Sequence, residues 1–593
     1  MNELMTKWGR KLNPNQILQE YPRPQLVRDS YINLNGKWDY AISKTKEITS
    51  YDGEILVPFA PESKLSGVRK TVQPDDVLHY RRGFKVPFNF MDGRVLLHFG
   101  AVDQECEVFL NGQKVGEHQG GYLPFHFDVT DAIVHEQENI LKVQVTDETE
   151  YSPHARGKQK LHHKGKMDAI FYTASSGIWK TVWLESVSHD YIQTIRTTPN
   201  YDAGSVTFYV ETNTDAGDVN LEISFEDEVV KEVTIAPNED VEVELGKFKS
   251  WSPESPHLYN VSIQYGKDRV TSYFAMRKYS KEKDKNGVYR FHLNNKPYYF
   301  NGLLDQGYWP ESLLTAPSDD ALKFDILETK KLGFNTIRKH VKIEPERFYA
   351  HCDRIGMLVL QDMPNGGDDI IKPFVMYLPN ISDRVSRKIG DHHYKIFGRM
   401  DAEGRKQYRE DLEKMVTTLY NYPSIAMWIP FNEGWGQFDA NQAMAQVRAL
   451  DSTRLVIETS GWFDQGGGDV YTIHNYFKQL KIKPQPDRLV AVTEYGGYAL
   501  PVKDHLPAQK EFGYKSYGSA AELETNYRKL WEKQILPQIA SGLSGTIYTQ
   551  TTDIEEEING FFTYNREVLK MNRAVIQSLN NALYHVFESI THK

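Results

Sequence analysis

From about Tyr31 to Val187, hydrophobic and polar positions alternate in short runs broken by turn residues. Segments such as "NLNGKWDYAI", "RVLLHFGAV", "CEVFLNGQKVGEH" and "NILKVQVTD" each fit a strand, and Asn111-Gly112 is a hairpin turn signal. Residues 1–187 are therefore expected to form an all-β sandwich. A smaller β stretch over 188–280, with "VTFYVETN", "VNLEISFE" and "YNVSIQYG", has the strand spacing of an immunoglobulin-like sandwich. After Gly287 the texture changes, and apolar strand candidates alternate with helical patterns such as "DDALKFDILETKKLG". Strands read at "YYFNGLLDQGY", "NTIRKHV", "MLVLQDMP", "IAMWIPFNE", "RLVIETSGW", "VYTIHNY", "LVAVTEYGG" and "SGTIYTQTTD". Eight strands with helices between them predict a (β/α)8 TIM barrel over 281–593. The stretch from Asn365 to Arg405, rich in Gly, Asp and His, is too long for an ordinary connection and predicts a lid or rim over the barrel mouth.

Composition narrows the function rather than the fold. The 593 residues are 40% hydrophobic, 25% charged and 12% aromatic, ordinary for a globular chain of two to four domains. A formal charge of -10 gives no footprint for nucleic acid. Two cysteines, Cys106 and Cys352, fall in different predicted domains, which argues against a disulfide framework or a cysteine zinc site. The N-terminal "MNELMTKWGRKL" lacks a signal-peptide core and no stretch approaches a membrane span, so the expected location is the cytoplasm, with no membrane partner.

In a barrel of this kind the carboxyl ends of the strands form the active face. In strand order, the polar residues there are Asp305 and Gln306, then Arg338 and His340, then Asp362, then Asn432 and Glu433. Trp462 and Asp464, His474 and Tyr476, Glu494, and finally Tyr548 and Gln550 complete the set. Two glutamates at the ends of apolar strands, the fourth and the seventh, face each other across such a barrel. A pair of carboxylates flanking one bond is the requirement of glycoside hydrolysis: one gives a proton, the other acts as nucleophile or base.

At these residues the chain resembles glycoside hydrolase family 2, the family of β-galactosidases, β-glucuronidases and β-mannosidases. "WIPFNEGW" is similar to its acid/base motif and "VTEYGG" to its nucleophile motif. "FGAVDQECEVFLNGQKVGEHQGGYLPFHFDVT" resembles its sugar-binding jelly-roll domain, and "SPESPHLYNV" with "FAMRK" the end of its immunoglobulin-like domain. The length matches the compact three-domain members. The resemblance implies that Glu433 is the proton donor, with a raised pKa, and that Glu494 is the ionised nucleophile. Arg338 and Tyr476 would keep Glu494 charged, Asn432 would bind the sugar 2-hydroxyl, and Trp462 and Tyr548 would offer apolar faces to the ring. His474, His340, Asp362 and Asp305 complete the expected substrate-binding set. Retention of configuration, the family's outcome, sets the carboxylates about 5 to 5.5 Å apart.

Three departures bear on the substrate. In "NTIRKHVKIEP" His340 comes one position earlier than in many members. The Asn-x-Lys element that holds the acid of a glucuronide is replaced by "EEEINGFFTYN", without the lysine. Against that, "RGKQKLHHKGKMD" (Arg156 to Asp168) is a basic loop that, with Lys339 and Lys342, would make a cationic funnel for an acidic sugar; a solvated loop is the plainer reading. "VLQDM" has some likeness to a β-mannosidase strand. The expected activity is a retaining exo-β-glycosidase of the β-galactosidase kind acting on oligosaccharides or small glycosides. A β-glucuronidase or other uronidase is the alternative, followed by β-mannosidase or β-glucosidase. Outside hydrolysis stand a transglycosylase and a non-catalytic carbohydrate-binding protein. No cofactor or metal is required by two-carboxylate chemistry, although magnesium or sodium is common among the family's β-galactosidases. Assembly of like chains is left open.

Overall fold

The computed structural model describes residues 4–90, 93–161, 170–506 and 511–591. In the first domain a six-stranded sheet runs in the order Gly53–Val57, Gly36–Ser43, Val77–Lys85, Glu138–Thr146, Glu105–Leu110, Gln113–Gln119. A four-stranded sheet of Tyr31–Asn33, Val182–Ser188, Gly93–Phe99 and Phe125–Asp128 packs on it. The period of two is visible in Glu138–Thr146, where Leu141, Val143 and Val145 are buried, with polar residues between them. These side chains join Trp38, Tyr80, Leu97 and Leu184 in one core. At the hairpin Asn111 and Gly112 both have positive φ, +52° and +85°, the pair of conformations a two-residue type I′ turn demands.

The second domain packs the three-stranded sheet Ile192–Asn200, Ser205–Thr212, Asp240–Glu244 on a four-stranded one built from Glu228–Ile235, Val219–Phe225, Tyr259–Tyr265 and Asp268–Phe274. Cys106 and Cys352 are both free and buried.

The third domain holds the parallel strands β1 (Phe300–Asp305), β2 (Thr336–Lys339), β3 (Leu358–Asp362), β4 (Ile425–Ile429), β5 (Leu455–Val456), β6 (Val470–Asn475), β7 (Leu489–Gly496) and β8 (Leu543–Thr549). They hydrogen-bond in the order β5-β4-β3-β2-β1-β8-β7-β6. The ladder is interrupted between β5 and β6, and there the Thr472 hydroxyl accepts from Gly461 N at 2.9 Å and donates to Thr459 O at 3.1 Å. Helices α1 (Asp319–Lys331), α2 (Glu346–Ile355), α3 (Ala402–Leu419), α4 (Ala440–Leu450) and α5 (Ala520–Leu530) return the chain between strands, and α6 (Arg573–Thr591) follows β8. Ser318 caps α1 by accepting from Ala321 N.

The first domain leans on the barrel mouth. Arg156 N and Gly157 N both donate to Asn365 O, at 2.7 and 2.9 Å, and Thr173 N donates to Glu555 Oε1 at 3.0 Å. Residues 162–168 of the basic loop lie outside the described residues; Arg156, Lys158 and Lys160 are described. The stretch after β3 forms short helical turns at Pro373–Tyr377, Leu378–Ile381 and Asp383–Ser386. Lys478 Nζ ties it to the barrel through Asn380 O at 2.7 Å, and Arg387 through Asp464 at 2.8 Å. Among the described residues no helix is long and apolar enough to cross a membrane.

Candidate active site

Strand β4 is buried throughout, and after Pro430 the chain makes two more parallel pairs, Phe431 with Thr459 and Asn432 with Ser460. Glu433 follows with φ +53°, its amide donating to Ser460 O at 2.9 Å, and Gly434 and Gly436 continue at positive φ. A non-glycine residue in the left-handed region costs about 1 kcal/mol or more, and such residues cluster where a side chain must be aimed. Here Glu433 Oε1 lies 2.6 Å from His474 Nδ1 on β6.

Glu494, at the far end of β7, is held on both oxygens. Arg338 Nη1 donates to Oε1 at 3.0 Å and the Tyr476 hydroxyl to Oε2 at 2.6 Å. Burial alone would raise the Glu494 pKa; His474 and Arg338 outweigh it and bring it down to about 2. The nearest oxygens of Glu433 and Glu494 and the His474 nitrogen between them all lie within 4.8 Å of one another.

Arg338 sits beneath the two glutamates with its side chain fully buried. Nε and Nη2 make a fork to Asp362 at 3.1 and 2.9 Å, and Nη2 also donates to Asn432 Oδ1 at 2.8 Å. Asp362 Oδ2 is further bonded to His340 Nδ1 at 2.8 Å. Asp362, an expected sugar contact, is thus buried with protein donors on both oxygens, an arrangement that fixes Arg338. Burial drives the His340 pKa well below its ordinary value, leaving the ring neutral as a partner of Asp362.

Trp462, after β5, is half-buried against Phe463 and Phe397, with its ring 6.4 Å from that of His474. Trp462, His474, Tyr476, Phe477 and Asn380 border a cavity of about 310 Å³. Four side chains at the site carried no signal that the sequence reading used. Tyr514 stacks on Tyr476 with centroids 3.5 Å apart and planes 4° apart. Thr549 Oγ1 lies 3.0 Å from the Tyr476 hydroxyl. Ser460 Oγ and Thr493 Oγ1 approach His474 Nε2 at 2.9 and 3.1 Å. Of these, only Thr493 was legible, as a lone hydroxyl in the apolar run "LVAVTEY".

Two expected site residues lie elsewhere. Tyr548 is buried among Tyr495, Tyr527 and Phe561, on the helix side of β8, and its hydroxyl accepts from Tyr498 N. Asp305 is bonded to Lys339 Nζ at 2.7 Å, and Lys339 and Lys342 both reach Glu344, at 2.9 and 2.8 Å. Those lysines are buried and neutralised, so they form no cationic funnel. Successive strand residues face opposite sides, so Arg338 points into the barrel while Lys339 points outward over the Phe348 ring of α2.

Glu433, His474 and Glu494 are also the one cluster among the described residues with the spacing for a metal ion. It fits a metal poorly: the His474 nitrogen is already hydrogen-bonded to Glu433, and the charge of Glu494 is already met by Arg338, with Tyr476 donating to its other oxygen.

Three family models match the chain in order. They are Glycosyl hydrolases family 2, sugar binding domain, over 68–186; Glycosyl hydrolases family 2 over 190–277; and Glycosyl hydrolases family 2, TIM barrel domain, over 285–539. The chain belongs to glycoside hydrolase family 2. Among curated family 2 relatives it is 24% identical to a β-galactosidase of Thermoanaerobacter pseudethanolicus over 80% of this chain and 62% of that protein. It is 21% identical to a β-glucuronidase of Streptococcus agalactiae, over 70% and 68%. The chain thus spans less than two thirds of the β-galactosidase. Solved structures with this fold include a β-glucuronidase of an uncultured Clostridium (TM-score 0.72, 19% identity, 95% and 99% covered). A GH2 β-galacturonidase of Eisenbergiella tayi also matches (TM-score 0.68, 18% identity, 96% and 98% covered).

Within this family 2 site the segment after β8 is acidic. Glu555, Glu556, Glu557 and Asn559 are all buried there. Asn559 Nδ2 donates to Glu557 Oε1 at 3.0 Å, Gln550 Nε2 to Asn559 Oδ1 at 2.8 Å, and Gln306 Nε2 to Gln550 Oε1 at 2.6 Å. Tyr172 of the first domain also donates to Glu557. Of the two cations that follow before α6, Arg566 is paired with Asp325 at 3.0 Å, and Lys570 is taken up by Asp553 at 2.6 Å and by Ile558 O at 2.9 Å.

Proposed function

We propose that the chain is a retaining exo-β-glycosidase that removes terminal β-linked sugars through a glycosyl-enzyme intermediate. The observation that carries this reading is the spacing of Glu433 and Glu494, whose nearest oxygens lie within 4.8 Å. Retaining enzymes hold their carboxyls about 5 to 5.5 Å apart, while inverting ones leave room for a water at about 6.5 to 9.5 Å. Glu494, kept ionised by Arg338 and Tyr476, attacks the anomeric carbon; Glu433 protonates the departing oxygen and then, as a carboxylate, takes a proton from the water that hydrolyses the ester. Asn432, its oxygen held by Arg338, offers its amide hydrogens to the 2-hydroxyl. The two carboxylates do this chemistry without a metal.

The proposed sugar is a neutral β-galactoside. Support comes from the acidic segment after β8, where Glu555, Glu556 and Glu557 would repel a sugar acid and Lys570 is already neutralised by Asp553. A uronide is the second reading, favoured by Lys158, whose ammonium lies 5.9 Å from the Tyr172 ring centre and close enough to His340 to lower its pKa. A panel of aryl β-galactoside, β-glucuronide, β-galacturonide, β-mannoside and β-glucoside, run beside Glu494→Ala and Glu433→Ala, decides between them. Cleavage of the galactoside, lost in both variants, is expected; cleavage of a uronide alone overturns the choice of sugar. No cleavage of any glycoside by the folded protein favours the carbohydrate-binding reading.

A further inference from the structure

A carboxylic acid has two oxygens, and only a proton on the oxygen that meets the glycosidic bond can be delivered. We propose that His474 makes that choice. It is a positioning residue whose Nδ1–H holds Oε1 of Glu433, so that Oε2 carries the proton given to the leaving group. The inference rests on the glycosidase reading above and adds to it the part that assigns the two oxygens their separate tasks.

The geometry is specific. His474 Nδ1 is 2.6 Å from Glu433 Oε1 and 3.5 Å from Glu494 Oε2, and the imidazole is fully buried, so no water competes for either ring nitrogen. Two hydroxyls meet the other ring nitrogen, Nε2. Ser460 Oγ donates its one hydrogen to Thr493 Oγ1 at 2.8 Å, which leaves Ser460 Oγ an acceptor toward His474 Nε2, 2.9 Å away, and Thr493 Oγ1, 3.1 Å from the same nitrogen, free to donate or accept. Selection of Oε2 requires a hydrogen on Nδ1, directed at Glu433 Oε1 2.6 Å away, whichever way the Nε2 contacts run. A chain of contacts thus runs from Ser460 and Thr493 through His474 to Glu433. Thr493 lies on β7 and His474 on β6, while Ser460 and Glu433 lie in the segments that follow β5 and β4, beside the interruption in the ladder.

The steps balance with His474 keeping its proton throughout. A Glu494 oxygen bonds to the anomeric carbon, the glycosidic C–O bond breaks with its electron pair on the leaving oxygen, and that oxygen takes the proton from Glu433 Oε2. Water then gives a proton to Oε2, its oxygen bonds to the anomeric carbon, and the ester bond to Glu494 breaks. Oε1 stays bonded to His474 in both halves, which keeps Oε2 facing the reaction.

Two readouts on the full chain test this. In wild-type protein labelled with ¹⁵N-histidine, one strongly deshielded Nδ1-bound hydrogen is expected, absent in His474→Gln and moved upfield in Glu433→Gln. In kinetics, His474→Gln should lose about 10²-fold in kcat/KM on a methyl glycoside, which needs the acid, and at least about tenfold less than that on a dinitrophenyl glycoside, where only its influence on Glu494 is felt. His474→Asn, which keeps a short N–H donor, should recover part of the loss and guards against a folding defect in the first variant. Equal losses on both leaving groups, or an Nδ1 found without a hydrogen, overturn the proposal while leaving the glycosidase reading standing. A wild type that cleaves neither glycoside but shows the Nδ1 hydrogen sinks the glycosidase reading instead, and with it the assignment of the oxygens.

Discussion

Arg338 reaches Glu494 and Asp362 at once, with Nη1 3.0 Å from one carboxylate and Nη2 2.9 Å from the other, in a position closed to solvent. Its charge therefore serves two buried anions. Removing one member of such a buried network leaves uncompensated charge and costs about 3 to 5 kcal/mol. Arg338→Met is expected to lose stability on that scale in urea unfolding. Arg338→Lys retains the charge but not the fork, and should fold while losing kcat, since a single ammonium cannot serve Glu494, Asp362 and Asn432 together.

The depressed pKa of Glu494 has a defined sign in stability. Its folded value, about 2, lies below the ordinary 4.5, so the unfolded chain binds the proton more readily between those values. The stabilisation is fully present above about pH 4.5 and is lost as pH falls toward 2. Urea unfolding of wild type and Glu494→Gln should show a gap that shrinks over that window and stays constant above it. In kinetics on a dinitrophenyl glycoside, no acid limb with an apparent pKa near 5 is expected.

Gly461 has φ +87°, and a Cβ built on it would stand 2.6 Å from His474 Nδ1. Gly461→Ala must therefore displace the imidazole from Glu433, on top of about 1 kcal/mol of backbone strain. The expected result is a modest drop in Tm with a loss of more than about tenfold in kcat/KM on a methyl glycoside, measured together on one preparation.

Tyr548 supplies the opposite case. Tyr548→Phe removes only the acceptor for Tyr498 N, 3.2 Å away, inside an aromatic cluster. Stability should fall by about 1 to 3 kcal/mol, the cost of a buried donor left unpaired, while kcat/KM stays within about twofold of wild type. A large kinetic loss would place the phenol at the substrate after all.

These cases mark where the sequence was informative. Glu433 and Glu494 were legible because an acid at the end of a fully apolar strand has few structural reasons to be there, and the strand count put both at one mouth. Arg338 was legible for the same reason, as a charge inside "NTIRKHV". Tyr548 was misread because all of β8 is buried on both faces, so no polar alternation tells the mouth side from the helix side. Asp305 and Lys339 looked like mouth residues because their ion pair joins the ends of β1 and β2, a register that no local pattern records. Tyr514 enters from the loop after β7, and its stacking on Tyr476 depends on tertiary packing alone.

The central claim is that Glu494 becomes covalently bonded to the sugar while Glu433 handles the proton. The most direct measurement is trapping with 2-deoxy-2-fluoro-β-galactosyl and -β-glucuronyl fluorides, followed by mass spectrometry of the peptic digest. The account predicts one sugar per chain on the peptide containing Glu494, absent in Glu494→Gln. A label on Glu433 or any other residue, or turnover of the parent glycoside by Glu494→Gln at the wild-type rate, would contradict it.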